Sequence, residues 1–249
     1  MKPKHQTPNT KHQAPVTRPG IWSLELGVWC WLFGVWCLLG KVEARSADTN
    51  AILNAWLSAQ TDLRTWKAEF TQTRMLKALT QPLVATGRVW FVVPNRFRWE
   101  LGSPAQTIAL RQSDQMFVIY PLLKRAERYA LAGPGAGQWR EALALLEAGF
   151  PRDRAELQAR FHVLSLTETN SAWQLALQPA SAFARRMMPE IRLSLATNDF
   201  SLIATEMVFA DGSRMRNDFT NATLNASFGD AVFDWKPGPE FKVTEPLGK

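Results

Sequence analysis

From Trp66 onward the chain keeps returning to a two-residue period, and that period commits a backbone to strands rather than helices. Trp66-Lys-Ala-Glu-Phe-Thr-Gln-Thr-Arg74 sets Trp66, Ala68 and Phe70 on one side and Lys67, Glu69 and Thr71 on the other. Residues 83–93 form a second run, Pro94-Asn95 makes a turn, and residues 96–101 return with Phe97 and Trp99 on a shared face. Strand signals recur at 107–111, 115–120, 125–131, 161–167, 173–178, 190–196, 202–209 and 213–224. Asp211-Gly212, between the last two, is a strong hairpin signal. Phe233-Asp-Trp-Lys-Pro237 is a further candidate to close the sheet. Helical spacing appears at residues 48–63, where Ile52, Leu53, Trp56 and Leu57 share one face. It appears again at 138–148, beyond the break Gly133-Pro-Gly-Ala-Gly137, and in a shorter stretch from Pro151 through Leu157. The expected fold is α+β: about eleven antiparallel strands with two or three helices. Sheets of that many strands curl rather than lie flat.

Two runs carry more apolar weight than a one-sided sheet requires. Val89-Trp-Phe-Val-Val93 and Met116-Phe-Val-Ile-Tyr120 must meet apolar partners on both faces. Two architectures satisfy this. One is a solid core, with helices on one face and the curled remainder of the sheet on the other. The second is an open-ended half-barrel, with a greasy concave face and helices laid across it as a lid.

The start of the chain reads as an address. Residues 1–20 are polar, basic and without apolar periodicity, and an uninterrupted apolar stretch then runs from Leu26 to Leu39. That length suits the core of a secretory signal and is short for a membrane span of about 20 residues. Val42-Glu43-Ala44 or Ala44-Arg45-Ser46 supplies small residues for cleavage. Residues 1–44 are therefore expected to be a signal peptide, with an uncleaved anchor from Ile21 as the alternative. Both readings place the remainder outside the cytoplasm, in the periplasm. Cys30 and Cys37 both lie in this leader, so the exported part has no cysteine and folds without disulfides.

Composition narrows the function by exclusion. With 46% hydrophobic and 20% charged residues among 249, the chain is globular rather than disordered. Its formal charge of +7 falls to +4 once the leader's five basic and two acidic residues are removed from 29 and 22. Without clustered basic runs, that surplus is weak support for a nucleic-acid partner. His162 is the one histidine beyond the leader, so a zinc site built on Cys and His ligands cannot be assembled. No Gly-x-Ser-x-Gly elbow accompanies it, and alternation turns it away from Phe161 and Val163. Neither an enzyme nor a cofactor is expected.

Several segments together resemble the periplasmic outer-membrane lipoprotein carrier family, LolA. They are Trp66-Lys-Ala-Glu-Phe-Thr-Gln-Thr-Arg, Gly87-Arg-Val-Trp-Phe-Val-Val-Pro-Asn-Arg-Phe-Arg-Trp99, Ile119-Tyr-Pro-Leu-Leu and Phe233-Asp-Trp-Lys-Pro-Gly-Pro-Glu-Phe-Lys-Val243. The similarity runs across residues 48–246. It implies an incomplete antiparallel barrel closed by a helical lid over a hydrophobic cavity. It further implies a monomeric carrier that takes acylated lipoproteins from an inner-membrane transporter and delivers them to an outer-membrane receptor.

On this reading Trp56, Leu57, Leu143 and Leu146 belong to the lid, while Phe70, Trp90, Phe97, Trp99 and Ile119 line the cavity. Met187 forms an adaptable rim with Met188 after Phe183. Phe97 is the position most closely tied to handover. The family's lid-latching arginine is replaced by Val93, so that latch is not carried over. The replacement also opens the cargo to another amphiphile, such as a lipid-linked pigment or a polyketide. A membrane-anchored assembly factor and an esterase resting on His162 are the competing classes.

Overall fold

A computed structural model describes residues 48–112, 114–132, 148–169 and 171–246. Helix α1 (Thr49–Gln60) opens this part, capped by the Asp48 carboxylate, which accepts from the Asn50 N–H at 3.0 Å. Six strands follow: β1 (Thr65–Met75), β2 (Leu83–Val92), β3 (Arg96–Leu101), β4 (Thr107–Gln112), β5 (Gln115–Tyr120) and β6 (Arg125–Ala130). Then come α2 (Arg154–Arg160), β7 (Phe161–Glu168), β8 (Ala172–Pro179), α3 (Ala182–Met187), β9 (Glu190–Ala196), β10 (Leu202–Val208), β11 (Arg214–Leu224) and β12 (Lys242–Thr244).

All twelve described strands join one sheet in the order β12-β6-β5-β4-β3-β2-β1-β11-β10-β9-β8-β7. Every pairing among them is antiparallel except β12 on β6. Flat, twelve strands about 4.8 Å apart would span over 50 Å and leave a face too wide for a few helices to cover. Instead the sheet curls into an incomplete barrel whose edge strands, β12 and β7, do not pair.

Its inner face and α1 form one continuous core. Leu53, Trp56 and Leu57 of α1 are buried in it with Trp66, Phe70, Phe91, Phe97, Leu177, Leu193 and Phe219. Leu157 of α2 joins the same core. Arg154 ties the two helices together, donating to Asn50 Oδ1 at 2.6 Å and Asn54 Oδ1 at 2.8 Å. Among the described residues the cover thus rests on apolar burial joined by the Arg154 clasp.

Three differences from the sequence expectation have physical causes. Helix α2 begins at Arg154, not Pro151, because the Asp153 side chain caps it by accepting the Glu156 N–H at 2.7 Å. It also continues past Leu157 to Arg160. Residues 233–237 are not a closing strand. Asp230–Val232 is a single 3-10 turn, and the following Pro237 and Pro239 lack the N–H groups a ladder needs. The segment lies across the outer face instead, where Phe233, Trp235 and Phe241 meet Ile108, Leu110, Phe117 and Ile119 in a second core. This cover explains why those strands are apolar on both faces. The sheet's extra edge comes from Lys242–Thr244, parallel to β6. The helical pattern at 138–148, which contains Leu143 and Leu146, lies outside the described residues except for Ala148.

Candidate functional site

Register assembles the inner wall. In the β1–β2–β3 ladder Trp66 stands beside Phe91 and Phe91 beside Phe97, while Ala68, Val89 and Trp99 form the next row. Phe70 pairs with Gly87 on one side and with Phe219 of β11 on the other. With no side chain at Gly87, the Phe70 ring leans over it to meet Trp99, with centroids 4.2 Å apart. Trp66 packs edge-on against Phe219 at 5.0 Å. These rings form a continuous aromatic wall on adjacent strands.

A small apolar hollow of about 40 Å³ remains inside that wall. Trp66, Val89, Phe91, Phe97, Trp99 and Phe219 line it from one side, and Ile191, Leu202 and Met207 from the other. Phe150 fills the space between, 5.0 Å from Trp66 and stacked at 4.9 Å on Phe91. Its neighbour Gly149 approaches Leu202 so closely that a β-carbon there would come within 2.8 Å of Cδ2. The Gly149 carbonyl accepts from Gln60 Nε2 of α1 at a long 3.4 Å. Phe150, itself only partly buried, thus lines the hollow through its ring contacts with Trp66 and Phe91.

The hollow has one polar strip. Asn217, which is 1% exposed, accepts from Gln72 Nε2 at 2.9 Å and donates to Thr205 Oγ1 at 3.1 Å. Arg74 Nε donates to Gln72 Oε1 at 2.7 Å. These bonds satisfy amides that would otherwise be costly to bury. The Trp56 indole N–H, also buried, finds no acceptor among the described residues. A much larger depression of about 750 Å³ opens on the outer face beside Arg96, Arg128, Asp234, Lys236 and Glu245. It is open to solvent and carries both signs of charge, so the small apolar hollow is the better shelter for hydrocarbon.

The expected lining residues divide by strand parity. Phe97 and Trp99 border the hollow, with Phe70 packed behind them. Trp56 and Leu57 are buried in the same core from α1. Trp90 and Ile119 point the other way and pack in the outer core, a correction imposed by the two-residue period: their neighbours Phe91 and Val118 face inward. Met187 is 59% exposed on α3, with Phe183 also exposed, and neither lines the hollow. Val93 packs partly buried against the inner core, its N–H donating to the Arg64 carbonyl at 3.0 Å. His162 is exposed.

Sequence reasoning missed Phe150, Phe219 and Leu202. The pairing of β11 with β1 that places Phe219 is long-range, and Phe150 stands alone between Gly149 and Pro151 with no period to mark it.

A half-barrel with an apolar interior under helical cover is the class these features define. Residues 61–236 match the family model described as outer membrane lipoprotein carrier protein LolA, and the chain belongs to that family. No curated protein matches the sequence significantly. Among solved structures the chain is similar to a conserved protein of Thermus thermophilus, at 11% identity over 79% of this chain and 98% of that one, with a TM-score of 0.47. It is also similar to a chain of the Pseudomonas aeruginosa MucA/MucB complex, at 17% identity, 80% and 64% coverage and TM-score 0.44. For a LolA superfamily protein of Nitrosomonas europaea the values are 12%, 75% and 97%, and 0.40.

Proposed function

We propose that the protein is an exported carrier that shelters the acyl chains of a lipoprotein or lipid-like cargo between membranes, with no chemistry of its own. Residues 1–44 act as its signal peptide and residues 48–246 as the periplasmic carrier domain. An inner-membrane transporter loads it and an outer-membrane receptor unloads it.

The observation that carries this reading is the ring of Phe150 seated on Trp66 and Phe91 in the lining of the hollow, where on this reading it acts as a plug that a hydrocarbon tail replaces. Burial is worth about 0.8 kcal/mol per CH₂, so a sixteen-carbon chain costs on the order of 12 kcal/mol to carry bare through water. A hollow of about 40 Å³ has no room for such a chain. Loading therefore requires Phe150 and the α1–α2 cover to move out. The plug keeps the empty wall dry, and the tail that replaces it makes the same kind of contact. Such exchange is non-directional, so it tolerates different tails and still permits release.

Val93 at the latch position favours a cargo other than lipoprotein as the second reading, because the family arginine is absent from the edge of the cover. Protein purified from the cell envelope should carry acyl species detectable by mass spectrometry and should displace a fluorescent fatty acid. Phe97→Glu should abolish that uptake. An empty wild-type protein that takes up no probe would refute the carrier reading, and the masses of the bound species would separate lipoprotein from another amphiphile.

A further inference from the structure

Strand directions place the β1–β2, β3–β4, β5–β6, β8–β9 and β10–β11 connections together at one end of the sheet. That end is apolar where water should be. Among the described residues, Met75, Leu76, Leu79, Leu83 and Val84 are between 38% and 62% exposed around the β1–β2 connection. Leu122 and Leu123, about 70% exposed, stand at the β5–β6 connection, and Phe183 and Met187 are exposed on α3. Hydrogen bonds join three of these segments: Lys77 N–H donates to Ser213 Oγ at 3.2 Å, and Ala210 N–H donates to the Met187 carbonyl at 3.1 Å. Exposed apolar side chains gathered on several turns at one end mark a candidate interaction surface.

Charge says what it meets. The five connections at this end carry Lys77, Lys124, Arg185 and Arg186 against Asp211, and the segment that enters β12 beside Lys124 adds the exposed Glu240. Arg185 is partly occupied with the carbonyls of Pro179 and Ala180, while Lys77 and Arg186 are exposed. The connections at the opposite end carry Asp62, Asp114 and Asp199 against Arg64. The basic excess on the turns thus coincides with the apolar end, whereas the opposite end mixes both signs, with Arg96 and Arg128 near Asp230 and Asp234. Leucines and methionines on projecting turns, interspersed with cations, suit the headgroup boundary of a bilayer rich in anionic lipid.

We infer that this rim docks the carrier on an anionic membrane surface, with the β1–β2 connection dipping into the headgroups. The inference goes beyond the carrier reading, since it concerns the outside of the barrel end and not the hollow. Apolar side chains supply insertion, and the basic ones supply attraction that salt screens.

The test follows amide hydrogen exchange on the full chain reconstituted with vesicles of phosphatidylcholine alone or mixed with phosphatidylglycerol. Because the apolar leader associates with both vesicle types, the readout is local. Exchange at residues 76–84 and 122–124 should slow about tenfold in the anionic vesicles relative to the neutral ones, while the turn at Asp199 is unchanged. The double variant Lys77→Glu with Arg186→Glu, both exposed, should lose the protection while keeping fatty-acid uptake, which reads the hollow separately. Equal exchange in the two vesicle types overturns the inference. So does protection that rises with protein concentration in the absence of vesicles, which would make the rim a contact between copies.

Discussion

The ring of Phe70 occupies the space that a side chain on its cross-strand partner Gly87 would need. A β-carbon at Gly87 would overlap both the Phe70 ring and the backbone carbonyl of Glu100 on β3. Glu100 is itself fixed, 7% exposed and paired with Arg98 at 2.7 Å and Arg88 at 3.0 Å. The carbonyl therefore cannot yield cheaply, and the ring can move only by breaking its contact with Trp99. Gly87→Ala should destabilise the protein by about 2–4 kcal/mol, the range for overpacking combined with backbone displacement. Denaturant unfolding of the two proteins measures this, and an unchanged midpoint would show that the inner wall is soft.

Phe150 separates stability from cargo binding. Removing its ring costs about 3 kcal/mol, because Trp66 and Phe91 lose a partner and a cavity remains. The same cavity is the room a hydrocarbon tail requires. Phe150→Ala should therefore lower the unfolding free energy while tightening binding of a fluorescent fatty acid about tenfold, equivalent to about 1.4 kcal/mol. Parallel titration and denaturation measure the two signs. Loss of both stability and binding would show that Phe150 is part of the wall, not a plug.

Trp56 tests how the cover is held. Its indole N–H is buried without an acceptor among the described residues, and an orphaned donor costs about 1–3 kcal/mol. The ring is 1% exposed and packs in the inner core. Trp56→Phe keeps most of that packing and removes the orphan, so it should change stability by less than about 1 kcal/mol, against about 3–5 kcal/mol for Trp56→Ala. The α1 cover is thus held at its most buried residue by shape, without a polar lock. Thermal unfolding of the two variants provides the comparison.

Local periodicity makes most of this legible in the sequence. The alternation around Trp66, Phe70, Phe97 and Trp99 marks an inward face, and the structure sets those four on it. Asp211-Gly212 closes the β10–β11 hairpin with Gly212 at φ 86° and the Ser213 N–H donating to Asp211 Oδ1 at 2.9 Å. What periodicity cannot supply is the partner of each face. In fully apolar runs such as the one containing Trp90, both parities look inward, and only the position of the chain's end segment decides between them. Phe233 and Trp235 have strand-like composition, yet they cover the outer face because Pro237 and Pro239 deny them a ladder. The plug is illegible for a different reason: a lone aromatic between glycine and proline belongs to no repeating pattern.

Acid should loosen the cover through Glu156. Its carboxylate accepts from the Arg152 backbone N–H at 2.9 Å and from Arg152 Nε at 3.0 Å, and it pairs with Arg160 at 2.8 Å. Burial acts to raise its pKa, but the Arg152 hydrogen bonds and the two guanidinium charges outweigh it, and the group sits below the usual glutamate value. A lowered folded-state pKa means that the unfolded chain binds the proton more readily. The stabilisation is then complete above the unfolded value of about 4.3 and is lost as pH falls below it, through the folded value. Because Arg154 of the same helix clasps Asn50 and Asn54 of α1, weakening α2 also weakens the cover. Unfolding followed between pH 7 and pH 3 should show stability declining below pH of about 4.3, and Glu156→Gln should be less stable at pH 7 with a shallower acid decline. Fatty-acid uptake measured over the same range should quicken in the wild-type protein as the pH drops and should vary less in the variant. An identical pH profile for the two proteins would remove Glu156 from the account of how the lid is held.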